Sequence, residues 1–201
     1  MTHTIDFSHL EGILPRVHAN RRIGLLGGSF NPPHLGHSLL ALYALSVAPI
    51  DELWVMPCAD HPFGKDLVDF QTRLELCQLT FSPLGDAVKV IEIEEKMPQP
   101  NYTAQTLRAI HALRDPIDLY WIAGSDLHED LHRWREPESI PKLATIVTMN
   151  RGGHAQKENF GFPLPEISSS MIREKRRTGQ SIAGLVERKT IRCMDERNLY
   201  R

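Results

Sequence analysis

The sequence predicts an α/β protein in which helices cover both faces of a parallel β-sheet. Short apolar runs with the length of buried strands alternate with amphipathic segments of helical periodicity. Glycine and proline separate many of these segments, as they do in connecting loops. Because parallel strands must be joined by crossovers, the alternation favours β-α-β units, and 201 residues suffice for one such domain.

The first strand is predicted where an apolar run begins at Arg22, and the first helix ends before Pro49, which lacks the N–H that a helix requires. The other elements follow from the same periodicity. The predicted strands are Arg22 to Leu26, Glu52 to Met56, Val88 to Ile93, Ile117 to Ala123 and Leu143 to Met149. The predicted helices are His37 to Ala48, Phe70 to Phe81 and Thr103 to Arg114.

Three further segments have different patterns. Residues 1–20 show little periodicity and are interpreted as an extra N-terminal arm or helix. Residues 150–165 are polar and rich in glycine and proline, which predicts a mobile loop. Residues 168–201 predict two short helices, so the chain is interpreted as a single domain, residues 1–201, with a C-terminal helical segment.

The composition argues against nucleic-acid and membrane partners. The formal net charge is −2, from 23 basic and 25 acidic residues, so no overall field attracts a polyanion. No stretch approaches the roughly 18 uninterrupted apolar residues of a membrane span. Cys58, Cys77 and Cys193 form no C-x-x-C pair, and the first residues lack the pattern of a secretory signal. These observations predict a cytoplasmic protein with reduced thiols.

The string GGSFNPPHLGH, residues 27–37, lies between the first predicted strand and the first predicted helix. Glycines allow close approach to an anion, and a helix N-terminus offers free N–H groups and positive potential. The imidazoles of His34 and His37 add donors. The string therefore predicts a phosphate-binding loop, although its spacing matches neither the Walker A pattern nor G-x-G-x-x-G. The alternative is a glycine-proline turn that caps a helix.

A second string, ISSSMIR, covers residues 167–173. Serine is a preferred N-cap, and consecutive serines offer hydroxyl and backbone donors to phosphate oxygens. Arg173 follows one turn into the predicted helix and can reach the same anion. Taken alone, the string suits an ordinary cap with a solvated basic face. Paired with the first loop, it predicts the second wall of a triphosphate site.

The segment from Asp126 to His132 contains residue types that bind metals: Asp126, His128, Glu129, Asp130 and His132. His128 and His132 would share one face of a helix. A solvated lid over the site is favoured over a metal centre, because such short matches are frequent. No metal ligand is therefore assigned to the protein.

The two strings resemble the signatures of the nucleotidyltransferase superfamily with the H-x-G-H motif, and more closely those of nicotinate-nucleotide (nicotinic acid mononucleotide) adenylyltransferases. Three intermediate features agree, namely NYTAQTLR at residues 101–108, Gly124-Ser125-Asp126, and Trp134. The resemblance extends from about Arg22 to the last residue. It implies a Rossmann-like, doubly wound parallel sheet.

The resemblance also implies a role for each matching residue. His34, His37 and Arg173 would be catalytic through their contacts with phosphate. The implied ATP-binding residues are Gly27, Gly28, Ser29, Phe30, His34, His37, Gly124, Asp126, Ser169, Ser170 and Arg173. The implied mononucleotide-binding residues are Ser29, Phe30, Asn31, Lys65, Tyr102, Thr103 and Trp134.

The implied reaction transfers the adenylyl group of ATP to nicotinate mononucleotide, with Mg²⁺ bridging phosphate oxygens. The chain departs from the family pattern at three places. Gln105 stands where relatives often have an acid, Ser170 replaces a common threonine, and residues 60–65 read DHPFGK where proline-proline-histidine-lysine is usual. The register of Lys65 is therefore open.

Several alternatives follow from the same residues. The acceptor could be nicotinamide mononucleotide, which differs by one amide group, or another small phosphate such as pantetheine phosphate or glycerol phosphate. Tyr102, Thr103 and Trp134 argue against the small phosphates. A nucleotide sensor without turnover is disfavoured because both histidines and Arg173 are present. The sequence leaves open whether the chain is a monomer or a homodimer.

Overall fold

A computed structural model describes residues 7–60, 66–114, 116–124, 134–151 and 160–201. The strands are β1 (Arg22–Gly28), β2 (Glu52–Pro57), β3 (Val88–Val90), β4 (Asp118–Gly124), β5 (Thr145–Arg151) and β6 (Phe160–Leu164). The α-helices are α1 (Leu35–Val47), α2 (Phe70–Phe81), α3 (Ile93–Lys96), α4 (Thr103–Arg114), α5 (Ile140–Leu143), α6 (Ser169–Arg177) and α7 (Arg188–Glu196). Short 3₁₀ helices cover Ser8–Leu10, Ser82–Ala87 and Pro137–Ser139.

The six strands form one parallel sheet in the order β3-β2-β1-β4-β5-β6. From β1 the chain proceeds outward to β3 and then crosses to β4, on the other side of β1. The order therefore reverses between β1 and β4. In such sheets the ligand crevice lies beyond the carboxyl ends of the strands at this switch point. The predicted α/β fold class is confirmed.

Alternate residues of the central strands face opposite sides of the sheet, and both sides are buried. Leu25, Trp54 and Trp121 lie in an apolar cluster that includes residues of α3, α4 and α5. Their neighbours Leu26 and Val55 lie in a second cluster with residues of α1 and α2. Two buried faces explain why the strands read as continuous apolar runs in the sequence.

The helices after β6 pack against α2 rather than against the sheet. Leu76 of α2, Ile172 of α6 and Met194 of α7 are fully buried in a third apolar cluster. The prediction of two short helices in residues 168–201 is confirmed. This packing brings the first turn of α6 close to the loop that follows β1.

One strand prediction and one loop prediction differ from the structure. β3 ends at Val90, and Ile93 begins one turn of helix, yet Ile91 and Ile93 are both buried. The alternating apolar pattern correctly predicts that Ile91 and Ile93 are buried, but the prediction that both belong to a strand is wrong. The predicted loop at residues 150–165 contains the end of β5 and all of β6, which pairs with β5 at the edge of the sheet. Gly161 and Pro163 concealed this strand, since both residues are tolerated at sheet edges but usually indicate loops.

The beginning of the chain packs against the first cluster. Phe7, Leu10 and Leu14 are buried there around the short 3₁₀ helix, while residues 1–6 lie outside the described part. None of the described helices combines the length and the apolar character needed to cross a bilayer.

The glycines of β1 provide space for large side chains. A Cβ atom added to Gly27 would lie 2.7 Å from Cη2 of Trp121, and one added to Gly28 would lie 3.2 Å from the Phe30 ring. A Cβ on Gly24 would lie 2.6 Å from Cδ1 of Ile50. The packing of these neighbouring side chains therefore requires glycine at all three positions.

We expect Gly27→Ala to reduce the free energy of unfolding by about 1–3 kcal/mol, because the added methyl overpacks the buried Trp121 ring. Urea denaturation measures the change. Gly12→Ala is the matched control, since a Cβ there meets no atom within 4 Å. Equal stability of the two variants would contradict the packing explanation.

Candidate active site

A cleft of about 790 Å³ opens beside the carboxyl end of β1. The loop after β1 and the first turn of α1 form one wall, and the first turn of α6 forms the other. The lining residues are Ser29, Asn31, His34, His37, Asp66, Leu67, Val68, Ser168, Ser169, Ser170, Arg173 and Tyr200. The structure thus brings together the two strings, which are more than 130 residues apart, as the sequence predicts.

His34 and His37 form a stacked pair at the start of α1. His34 occupies the N-cap position, and its ring centroid lies 3.6 Å from that of His37. The backbone N–H of His34 donates to Nδ1 of His37 at 3.2 Å. Because Nδ1 accepts this bond, a neutral His37 ring has its proton on Nε2. That tautomer makes His37 a hydrogen-bond donor suited to an anionic oxygen.

Close packing holds both imidazoles in place. A Cβ on Gly36 would lie 3.0 Å from Nδ1 of His34, so this ring requires glycine two residues later. Phe30 is buried, and its ring contacts His37 edge-on at 4.8 Å between centroids. Its φ of 45° lies in the left-handed region, just after the end of β1. Phe30 can therefore offer a ligand only its backbone.

The first turn of α6 is bound to the loop after β1. Ser168 is the N-cap and accepts from the backbone N–H of Met171 at 3.1 Å. The hydroxyl of Ser169 donates to the carbonyl of Pro32 at 2.8 Å. Arg173 donates through Nη2 to the hydroxyl of Ser170 at 3.2 Å. Hydroxyls, a guanidinium and a helix N-terminus thus converge on one side of the cleft.

Asn31 connects this wall to other parts of the chain. Its backbone carbonyl accepts from Nη1 of Arg173 at 2.7 Å. Its side-chain amide donates to the carbonyl of Asp66 at 3.1 Å, while Oδ1 accepts from the N–H of Val68 and the hydroxyl of Tyr200. Three of the four hydrogen-bonding positions of the amide are used inside the protein. One N–H is left for the predicted contact with the mononucleotide.

Arg73 lies beneath the cleft and is only 1% exposed. Its guanidinium donates to the carbonyls of Ser29, Cys58 and Ala59, and its Nε donates to that of Val68. Sequence reasoning missed this residue, because an isolated arginine in an amphipathic helix resembles a solvated side chain.

The residues predicted to hold the pyridine ring lie on the other side of the sheet from α1. Trp134 meets Trp121 edge-on at 5.9 Å, and Trp121 in turn packs against Gly27. Tyr102 lies under the guanidinium of Arg135 at 4.6 Å, and Thr103 begins α4. None of the pyridine-side residues lines the 790 Å³ cleft, so the two predicted subsites flank the end of β1.

The other predicted residues have varied placements. Gly124 ends β4, next to Met149 of β5. Lys65 and Asp126 lie outside the described residues, as do His128, Glu129, Asp130 and His132, so their roles stay predictions. Within the described ranges, no group of three or more His, Cys, Asp or Glu side chains could hold a metal ion. Ser168 of the second string also lines the cleft, as do Asp66, Leu67, Val68 and Tyr200, to which no predicted role pointed.

Comparison with known proteins agrees with this geometry. Residues 25–175 match a family model described as cytidylyltransferase-like. A probable nicotinate-nucleotide adenylyltransferase of Anaeromyxobacter dehalogenans (strain 2CP-1) is 38% identical over 185 residues, covering 90% of this chain and 97% of that protein. The chain belongs to the nicotinate-nucleotide adenylyltransferase family.

Further members of the nicotinate-nucleotide adenylyltransferase family show the same extent of similarity. A probable enzyme of Myxococcus xanthus is 36% identical over 179 residues, covering 89% of this chain and 94% of that protein. The solved structure of Plasmodium falciparum nicotinic acid mononucleotide adenylyltransferase complexed with NaAD is similar with a TM-score of 0.78. That likeness covers 90% of this chain and 98% of the other at 21% identity, and it shows the shared fold.

In this member of the nicotinate-nucleotide adenylyltransferase family, one buried carboxyl supports the loop after β2. Glu94 of α3 accepts from the hydroxyl of Thr106 at 3.3 Å and from the backbone N–H of Ala59. Burial raises the pKa of Glu94 to about 7, although these hydrogen bonds and the charge of Arg73 lower it in part. The carboxyl is therefore largely protonated below neutral pH.

We expect the Glu94 side chain to make stability depend on pH. Its pKa in the folded protein exceeds the usual 4.5, so its contribution is complete below pH 4.5 and is lost as pH rises to about 7. The difference in unfolding free energy between wild type and Glu94→Gln should fall by about 3 kcal/mol over this range. Urea denaturation at several pH values measures it.

Glu95→Gln is the control for this experiment. Hydrogen bonds from Lys96 and Gln71 lower the pKa of Glu95, so its contribution is lost only as pH falls. The Glu95→Gln difference should stay level between pH 5 and pH 7. A Glu94→Gln difference that is equally level would show that Glu94 is ionised in the folded protein.

Proposed function

We propose that this protein transfers the adenylyl group of ATP to nicotinate mononucleotide, giving nicotinate adenine dinucleotide and pyrophosphate in NAD biosynthesis. One observation supports this proposal most directly. The histidine pair of α1 and the serine-arginine turn of α6 face one cleft at the switch point of the sheet. The names of the relatives agree, and Trp134 packs on Trp121, whose ring lies beside Gly27 near the same strand end.

The reaction requires little acid–base chemistry from the protein. The phosphate of nicotinate mononucleotide is already an anion and attacks the α-phosphorus of ATP. The new P–O bond forms as the bond to the β-phosphate oxygen breaks, and pyrophosphate leaves with that electron pair. Two polyanions must therefore approach each other in line. Positioning and electrostatic stabilisation dominate such transfers.

The cleft offers the donors that this step needs. His34 and His37 would contact the ATP phosphates and stabilise the charge that develops as pyrophosphate departs. Ser169, Ser170 and Arg173, with the N-terminus of α6, would hold the β- and γ-phosphates. The strand-end residues Gly27, Gly28, Ser29 and Phe30 would contribute backbone groups, and Gly124 and Asp126 would hold the adenosine ribose.

The acceptor would bind on the other side of the β1 end. Trp134 would stack on the pyridine ring, and Thr103, at the N-terminus of α4, would help to bind the nicotinate carboxylate. Tyr102, Asn31 and Lys65 complete this predicted subsite. The positive end of a helix dipole favours a carboxylate over an uncharged amide, which supports nicotinate rather than nicotinamide as the substrate.

Nucleotidyltransferases of this family generally use a divalent metal, and we infer Mg²⁺. The described cleft presents mainly imidazole, hydroxyl, guanidinium and backbone donors, which contact phosphate rather than a cation. These residues fit a metal that arrives on the triphosphate. Mg²⁺ bound there neutralises part of the phosphate charge.

The substrate assignment is tested by incubating the protein with ATP and Mg²⁺ and either mononucleotide, and by measuring dinucleotide and pyrophosphate. We expect kcat/KM for nicotinate mononucleotide to exceed that for the amide by at least about tenfold, because the amide lacks the charge that α4 attracts. Equal or better use of nicotinamide mononucleotide would overturn the assignment. ATP binding without pyrophosphate release from any acceptor would favour a sensor.

We expect His37→Ala to lower kcat by about 10²–10³-fold, because it removes a donor that acts on the developing phosphate charge. The midpoint of thermal unfolding should fall only slightly, because the variant loses the packing of a single half-buried ring. His18→Ala is the control, since His18 is exposed and precedes the amino end of β1. A similar kcat for both variants would exclude His37 from the chemistry.

A further inference from the structure

Tyr200, which follows α7, lies in the wall of the cleft. Its hydroxyl lies 2.9 Å from Oδ1 of Asn31. The amide of Asn31 is oriented by its other bonds, because Nδ2 faces the carbonyl of Asp66 and Oδ1 faces the N–H of Val68. An amide oxygen only accepts, so the Tyr200 hydroxyl is the donor.

The segment that holds Tyr200 is fixed to α6, the helix that forms the serine-arginine wall. Arg176 donates through Nε to the carbonyl of Leu199 at 2.9 Å, and its Nη1 pairs with Asp195 at 2.9 Å. The backbone N–H of Leu199 also donates to the carbonyl of Met194 at 2.9 Å. The position of Tyr200 is therefore coupled to that of α6.

Burial keeps the hydroxyl in its protonated, donor form. Burial raises the pKa of Tyr200 above its usual range, although the charges of Arg73 and Arg173 partly oppose the shift. Asn31 bonds to the phenol with its side chain and to Arg173 with its backbone carbonyl.

We propose that Tyr200 is a positioning residue for ATP, which acts through Asn31 to hold the Arg173 guanidinium toward the triphosphate. This inference rests on the proposed role of Arg173 in the adenylyl transfer. Without the hydroxyl, the Asn31 side chain loses one of its three bonds, and the carbonyl that orients Arg173 becomes less restricted. Apart from Asn31 itself, the described residues of the predicted pyridine side, Trp134, Tyr102 and Thr103, share no hydrogen bond with this set.

Tyr200→Phe removes the hydroxyl and keeps the ring. We expect KM for ATP to rise about tenfold, the upper end of the effect of one lost hydrogen bond, and KM for nicotinate mononucleotide to rise less, because the Asn31 N–H predicted to contact the acceptor is kept. Tyr120→Phe is the matched control, because Tyr120 is equally half-buried but pairs with Gly24, toward the amino ends of the strands. We expect it to match wild type in both KM values.

A double-mutant cycle tests whether Tyr200 acts through Asn31. If it does, Tyr200→Phe should weaken ATP binding in the wild-type background and add less than about twofold in Asn31→Ala. Calorimetric titration with a non-hydrolysable ATP analogue measures this without turnover, so failure of the proposed reaction does not affect the result. Additive effects, an unchanged Kd for the analogue in Tyr200→Phe, or equal rises of both KM values would overturn the proposal.

Discussion

The architecture of the cleft depends on the buried guanidinium of Arg73. The loops after β1 and β2 leave the sheet together, and several of their carbonyl groups have no strand to pair with. Arg73 donates to Ser29, Cys58 and Ala59 at once, and its Nε adds Val68. A guanidinium has five N–H donors in a rigid plane, so one side chain binds carbonyl groups of several segments at once. Three chain segments are thereby held at one strand end.

The groups predicted to bind phosphate also bind one another and stabilise the walls of the cleft. Arg173 donates to Asn31, Ser169 donates to Pro32, and the backbone of His34 donates to His37. Hydrogen bonds of this kind fix donors before the ligand arrives, and such preorganisation lowers the cost of stabilising charge in a transition state. The two-sided arrangement suits the chemistry of this nucleotidyltransferase family. The predicted triphosphate side is rich in donors, and the predicted pyridine side has the edge-to-face pair Trp121 and Trp134 on the other face of the sheet.

The glycines of β1 show how a sequence motif can have two physical causes. Sequence reasoning assigned Gly27 and Gly28 to close approach by an anion. In the structure the absence of a Cβ at Gly27 admits Trp121, and its absence at Gly28 admits Phe30. Trp121 then supports Trp134 on the pyridine side, and Phe30 supports His37 on the phosphate side. The same glycines therefore position both predicted subsites through packing. This role is independent of any backbone contact that they make with a ligand.

The sequence by itself determined the alternation of strands and helices, the two faces of the sheet and the two strings at the cleft, since all of these depend on local periodicity and on residues close in the chain. It did not reveal β6, whose pairing with β5 depends on backbone hydrogen bonds that side-chain patterns do not report. Nor did it reveal Arg73 or Tyr200. Arg73 donates to a carbonyl 44 residues away, and Tyr200 donates to a side chain 169 residues away. Only the tertiary structure decides that such a polar side chain is buried and which segments it holds.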